Sequence, residues 1–138
     1  MHLASRDYEP SPEPKVLVVE DFEDTRTLLR FMLRMYGYNV IEADNGQEAV
    51  EVAQREHPDA ILMDMSLPIM DGCQATRRIR EQPALKDVPI IACTAHNQWE
   101  WRGKAIIAGC DEFMAKPLDA DKLNLMLSRL LARRNQTH

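Results

Sequence analysis

The sequence predicts a doubly wound α/β fold, one five-stranded parallel sheet with five helices. Three observations carry this. Short runs such as Val16-Leu17-Val18-Val19 and Ala60-Ile61-Leu62-Met63 are apolar at every position, as strands covered on both faces are. Segments with helical spacing separate these runs in regular alternation. Hydrophobic residues make up 45% of the 138 positions and charged residues 28%, which is enough apolar material for one core. Crossovers between parallel strands are right-handed, so helices are expected on both faces of the sheet.

Residues 1–14, with Pro10, Pro12 and Pro14 among Ser and Glu, read as an extended tail. The domain is expected over residues 15–133 and a C-terminal tail over 134–138. The first strand, 16–19, stops at Glu20-Asp21. Residues 23–36 read as a helix with Leu28, Leu29, Met32, Leu33 and Tyr36 on one stripe and Arg26, Arg30 and Arg34 on another side, closed by Gly37. Residues 38–43 read as a strand. Asn45 caps a helix to about Glu56, with Glu48 three residues on. Pro58 ends that unit, and a third strand runs from Ala60 to Asp64. Asp71-Gly72 opens a helix through about Glu81. A fourth strand, 89–93, ends at Thr94, and a helix from about Gln98 to Ala108 stops at Gly109. A short fifth strand, 111–115, ends at Lys116-Pro117. Asp119 caps a last helix to about Ala132, with Leu123, Met126, Leu127, Leu130 and Leu131 facing inward and Leu125 outward.

The charge balance, 17 Lys+Arg against 22 Asp+Glu for a net of -5, argues against a nucleic-acid binder, which needs a basic face. No apolar run exceeds four residues, so no membrane span is expected, and the first residues lack the apolar segment of a signal peptide. Cys73, Cys93 and Cys110, an odd number without close spacing, suit a reducing cytoplasm and read as small buried hydrophobes.

In sheets of this kind, ligands sit outside the carboxyl ends of the strands. Those ends bring Glu20, Asp21, Asp64, Thr94 and Lys116 to one rim. Three carboxylates in one cleft repel each other unless a cation sits among them, and magnesium, a hard oxygen-seeking ion that keeps waters in its shell, is the natural partner. A carboxylate not consumed by the metal is a nucleophile toward phosphorus, and Asp64, central on the rim, is the candidate. Lys116 and Thr94 can cover other phosphoryl oxygens. Among only five glycines there is no phosphate-cradling loop and no dinucleotide turn.

The segments Val-Leu-Val-Val-Glu-Asp-Phe (16–22), Leu-Met-Asp-Met-Ser-Leu-Pro-Ile-Met-Asp-Gly (62–72), Ile-Ala-Cys-Thr-Ala (91–95) and Gly-Cys-Asp-Glu-Phe-Met-Ala-Lys-Pro (109–117) resemble the receiver domain of two-component response regulators. The likeness covers roughly residues 15–133 in order and spacing, and it implies the flavodoxin-like receiver fold. It also implies that Asp64 accepts phosphate from a phosphohistidine on a sensor histidine kinase or histidine phosphotransfer protein. Asp21 and Asp64 would bind Mg2+ directly, with the Ser66 backbone carbonyl, and Glu20 would help through water. The family usually carries Asp-Asp where this chain has Glu20-Asp21. Lys116 would contact the phosphoryl group ahead of a cis bond to Pro117. Thr94 and Phe113 would form a switch pair. The positions of Ser66 and His96 would tune access of hydrolytic water.

Other residues read more plainly. His57, before Pro58, is expected at a solvated helix end. Trp99 and Trp101, two apart on a helix, point in divergent directions, so one of them is expected to be exposed unless Trp99 packs down as a cap. The expected function is a stand-alone receiver, not an enzyme. It would act in the cytoplasm on a downstream protein, or on a second copy of itself, through the face made by the fourth helix, fifth strand and fifth helix. Two alternatives stand beside it: a receiver excised from a larger regulator or hybrid kinase, and a magnesium-dependent haloacid-dehalogenase-type phosphatase.

Overall fold

A computed structural model of the chain describes residues 13–95 and 99–136, without the side chains at 99, 101, 135 and 136. Most of the expected 1–14 tail, His96 and both tryptophan side chains lie outside the described residues. The elements follow in alternation: β1 Lys15–Val19, α1 Glu23–Met35, β2 Asn39–Ala43, α2 Gly46–Glu56, β3 Ala60–Asp64, α3 Gly72–Arg80, β4 Ile90–Ala95, α4 Trp99–Ala108, β5 Glu112–Lys116 and α5 Ala120–Gln136. The five strands form one sheet in the order β2-β1-β3-β4-β5. Every pairing is parallel, as the continuous apolar runs required.

Strand alternation divides the core into two layers. Leu17, Val19, Ile61, Met63 and Ala92 face one side, packed with Ala49, Val52 and Ala53 of α2, Ile79 of α3 and Ala105 and Ala108 of α4. Val16, Val18, Leu62, Ile91 and Cys93 face the other, packed with Leu29 and Leu33 of α1 and Leu123, Leu127 and Leu130 of α5. Of the expected α5 stripe, Met126 and Leu131 are partly buried, and Leu125 is exposed, as expected.

Local chemistry sets the helix ends. Asn45 Oδ1 accepts from Glu48 N (2.8 Å), while Glu48 Oε1 reaches back to Asp44 N (2.8 Å). Asp71 and Gln74 form a reciprocal capping box that starts α3. Asp119 accepts from Lys122 N at 3.1 Å at the start of α5. His57 is exposed at the α2 C-cap in the left-handed region, as expected of a solvated helix end.

Four details differ from the sequence reading. Leu28 was expected to face inward and is 58% exposed. Successive helical residues point about 100° apart, so the Leu29–Leu33 line takes the sheet and Leu28 is turned aside; Tyr36 is likewise exposed. A single 3-10 turn, Pro83–Leu85, lies between α3 and β4, with the proline at its first position, where a missing N–H costs nothing. β4 runs past Thr94 to Ala95. Finally, α5 continues to Gln136, so residues 134–136, expected in a tail, are helical. No Gly or Pro interrupts 120–136, and Arg134 Nη1 bonds the Asp59 carbonyl at 2.8 Å.

Candidate functional site

The site stands at the carboxyl edge of the sheet, and strand parity builds it. Glu20 continues the face of Val16 and Val18, Asp64 that of Leu62, and Lys116 that of Met114, so three polar side chains converge above the α1/α5 layer. Glu20 and Asp64 are 3% and 4% exposed. Lys116 Nζ donates to Glu20 Oε1 at 2.7 Å and to Asp64 Oδ2 at 3.0 Å. The remaining oxygens are also engaged: Glu20 Oε2 accepts from Phe22 N (3.0 Å) and Asp64 Oδ1 from Ser66 N (3.0 Å). Burial works to lower the Lys116 pKa, but the hydrogen bonds and charges of Glu20 and Asp64 outweigh it and hold the pKa above its ordinary value.

Asp21 is exposed beside this pair. One carboxylate oxygen from each of Glu20, Asp21 and Asp64 lies within 4.8 Å of the others. The donor set is all hard oxygen, with the charge of one ammonium against three carboxylates, and it fits a magnesium-like cation. Beneath the rim is a cavity of about 330 Å³, with Leu28, Met32 and Leu118 on its apolar wall and Glu20, Asp64 and Lys116 at its polar end. The sequence reading did not foresee this cavity.

The loop from β3 to α3 is held close. A Cβ at Gly72 would lie 2.8 Å from Met65 Cα, and one at Gly46 would lie 2.9 Å from Met70 Cβ while overlapping the Met70 carbonyl. Glycine at both positions lets the loop backbone pack against α2 and against the end of β3. The Lys116–Pro117 peptide is cis.

Thr94 and Phe113 occupy the opposite sheet face. Thr94 is buried on β4 two residues beyond Ala92, and Phe113 on β5 is the register partner of Ala92. The two side chains are therefore diagonal neighbours on the α4 side, and Phe113 packs partly against that core layer. On the same face as Asp64, Cys93 is its register partner and joins the α1/α5 core layer. Burial, followed by the Asp64 charge, pushes its thiol pKa up to about 12. All three cysteines are free; Cys73 and Cys93 are buried as expected, and Cys110 is half-buried.

The structure thus brings Glu20, Asp21, Asp64, Ser66 N and Lys116 together, and sets Thr94 and Phe113 behind them. One contact at this site had no signal in the sequence: the Arg102 guanidinium lies 5.9 Å from the centre of the Phe113 ring. It depends on how α4 sits over β5.

Comparison with known proteins agrees with this geometry. The family model for the response regulator receiver domain matches residues 16–128. An uncharacterized 14.6 kDa protein of Leptolyngbya boryana is 41% identical over 104 residues, 75% of this chain and 79% of that one. The alkaline phosphatase synthesis transcriptional regulatory protein PhoP of Bacillus subtilis is 35% identical over 119 residues, 86% of this chain and 49% of that protein. The chain thus spans about half the length of that regulator. Among solved structures, the receiver domain of sensor histidine kinase PA1611 from Pseudomonas aeruginosa aligns with a TM-score of 0.82 and 40% identity, covering 87% of this chain and 98% of that one. That structure has a magnesium ion coordinated in its active-site cleft. Chemotaxis protein CheY4 of Vibrio cholerae aligns with a TM-score of 0.81 and 30% identity, covering 86% and 98%. The dehalogenase-type phosphatase alternative finds no support in these comparisons. The chain belongs to the receiver-domain family of two-component response regulators, phosphoacceptor signalling domains that interact with histidine kinases or phosphotransfer proteins.

Proposed function

We propose that Asp64 is the phosphoacceptor, taking a phosphoryl group from a phosphohistidine and switching protein–protein binding. The observation that carries the reading is the bridging of buried Asp64 and Glu20 by Lys116, with Asp21 within carboxylate reach. An Asp64 carboxylate oxygen attacks phosphorus, the P–N bond to the donor imidazole breaks, and histidine leaves. Lys116 gives up its Asp64 bond for a phosphoryl oxygen while Glu20 keeps the ammonium at the rim. Asp21, Asp64 and the Ser66 carbonyl would hold Mg2+ directly and Glu20 through water; when bound, the ion neutralises phosphoryl oxygen charge. The oxygen donor set here and the magnesium in the PA1611 receiver support that assignment.

Thr94 then draws toward the new charge and Phe113 turns inward behind it. The output face is α4-β5-α5, bound by a downstream protein or a second copy of this chain. Exposed Ile106, Ile107 and Leu125, and a groove of about 390 Å³ that Phe113 and Leu125 help to line, favour that face. The phosphodonor docks along α1, which begins at the rim. It exposes Leu28, Phe31 and, at 84%, Met35 on adjacent turns, with Phe22 just ahead. Among the described residues no helix is long and apolar enough to cross a membrane. The three free cysteines suit a cytoplasmic setting.

The test is phosphorylation by acetyl phosphate and by a phosphorylated kinase domain, with and without Mg2+. Wild type should gain one metal-dependent phosphoryl group, and Asp64→Asn and Asp21→Ala should gain none at a comparable rate. Metal-independent labelling, or labelling of Asp64→Asn at the wild-type rate, contradicts the assignment.

A further inference from the structure

We propose that Arg102 is a positioning residue for the switch: its guanidinium, placed over the Phe113 ring, favours the phosphoryl-free position of that ring and sets how strongly the domain resists activation. The inference rests on the Thr94–Phe113 reading above and adds to it a residue on α4.

Arg102 Cζ lies 5.9 Å from the Phe113 ring centre, within the roughly 6 Å over which a cation is drawn to an aromatic face. Arg102 is exposed and Phe113 is half-buried, so the contact roofs the ring on its solvent side. The floor beneath Phe113 is the core layer that Ala105 and Ala108 of the same helix also cover. Phe113 is diagonal to Thr94, so an inward turn carries the ring behind Thr94. Because Arg102 is exposed and the layer beneath the ring is buried, that turn takes the ring into the core and off the guanidinium. The contact is therefore made in one state and lost in the other, which is the condition for biasing a two-state equilibrium. Guanidinium is planar and stacks on rings, so arginine suits this place better than a compact ammonium. A contact of this class at an exposed position shifts a population about two- to fivefold, enough to tune a switch without locking it.

The chain has three phenylalanines, so ring-13C phenylalanine labelling resolves Phe113 once Phe22→Leu and Phe31→Leu identify the other two. The Phe113 ring signal and the apparent beryllofluoride affinity are measured in Mg2+ for wild type, Arg102→Met and Arg102→Lys. Arg102→Met keeps an extended apolar chain without the charge. It should move the free-state Phe113 signal toward its beryllofluoride-bound position and tighten beryllofluoride binding about two- to fivefold. Arg102→Lys should stay nearer wild type, a rescue that a purely structural role of the side chain does not predict. If Phe113 moves with beryllofluoride in wild type but Arg102→Met binds it no more tightly, this inference is overturned and the switch reading stands. If the wild-type Phe113 signal does not respond at all, the switch reading fails first and takes this inference with it.

Discussion

Glu20 Oε1 lies 2.7 Å from the Lys116 ammonium, closer than the 3.0 Å that separates the same ammonium from Asp64 Oδ2. The lysine is thus the counter-ion of two buried carboxylates, and the reach of a glutamate places the first of them against it. Lys116→Met leaves both acids buried without their cation. It should destabilise the metal-free protein by about 3 kcal/mol, and Mg2+ should restore part of the loss, stabilising this variant more than wild type. Urea midpoints with and without Mg2+ check this; a metal-free variant as stable as wild type would show that the lysine is not the counter-ion.

The two close-packed glycines make a second prediction. A Cβ at Gly72 or Gly46 runs into backbone that cannot swing away, Met65 Cα for one and the Met70 carbonyl for the other. Gly72→Ala and Gly46→Ala should each cost about 1–3 kcal/mol. Gly72→Ala should also slow phosphorylation, because the displaced segment begins at Asp64. Thermal melts read the first effect and acetyl phosphate kinetics the second.

Ile69 sits in the same loop with φ +69 and is 82% exposed. A β-branched residue in the left-handed region is strained, whereas asparagine tolerates it. Ile69→Asn should raise stability by about 1 kcal/mol, seen as a higher melting temperature, and leave acetyl phosphate labelling of Asp64 intact. A lower melting temperature would mean that Ile69 makes a stabilising contact outweighing its backbone strain.

Alkaline pH should weaken the fold through Cys93. In the unfolded chain its thiol ionises near its ordinary value of 9.0, while the folded protein keeps the proton until about 12. Below pH 9 both states hold the proton and this group adds no pH dependence. Above it only the unfolded state releases the proton, so stability falls by about 1.4 kcal/mol per pH unit from this group alone. Cys110, pushed up to about 11 chiefly by burial, adds to the slope in the same direction. Cys93→Ala should flatten the decline by one proton's share; an unchanged slope between pH 9 and 11 contradicts the burial argument.

What could be read in advance was what local chemistry decides. Apolar runs marked the strands, and the residues at their carboxyl ends marked the rim, because parallel topology leaves those ends on one edge. What escaped depends on distant parts meeting. Arg80 donates to the Gly109 carbonyl (2.8 Å), the Val88 carbonyl (2.7 Å) and Asp111 Oδ2 (3.0 Å), tying α3 to the turns before β4 and β5. In the sequence it is one arginine among several on a helix. The failed burial of Leu28 is of the same kind: periodicity proposed a stripe of five, and the packing against one sheet face took Leu29 and Leu33 fully and Met32 partly, leaving Leu28 and Tyr36 exposed. Arg102 over Phe113 is a third case, since helix spacing says nothing about which strand residue lies below.

If Asp64 carries the phosphoryl group, the acyl phosphate can be located chemically at that position. Wild-type protein is phosphorylated in Mg2+, reduced with borohydride to convert the aspartyl phosphate to homoserine, digested and read by peptide mass. Homoserine is expected at position 64, dependent on Mg2+ and absent from Asp64→Asn. Homoserine at another position, or phosphate on the chain with no homoserine formed, would contradict it.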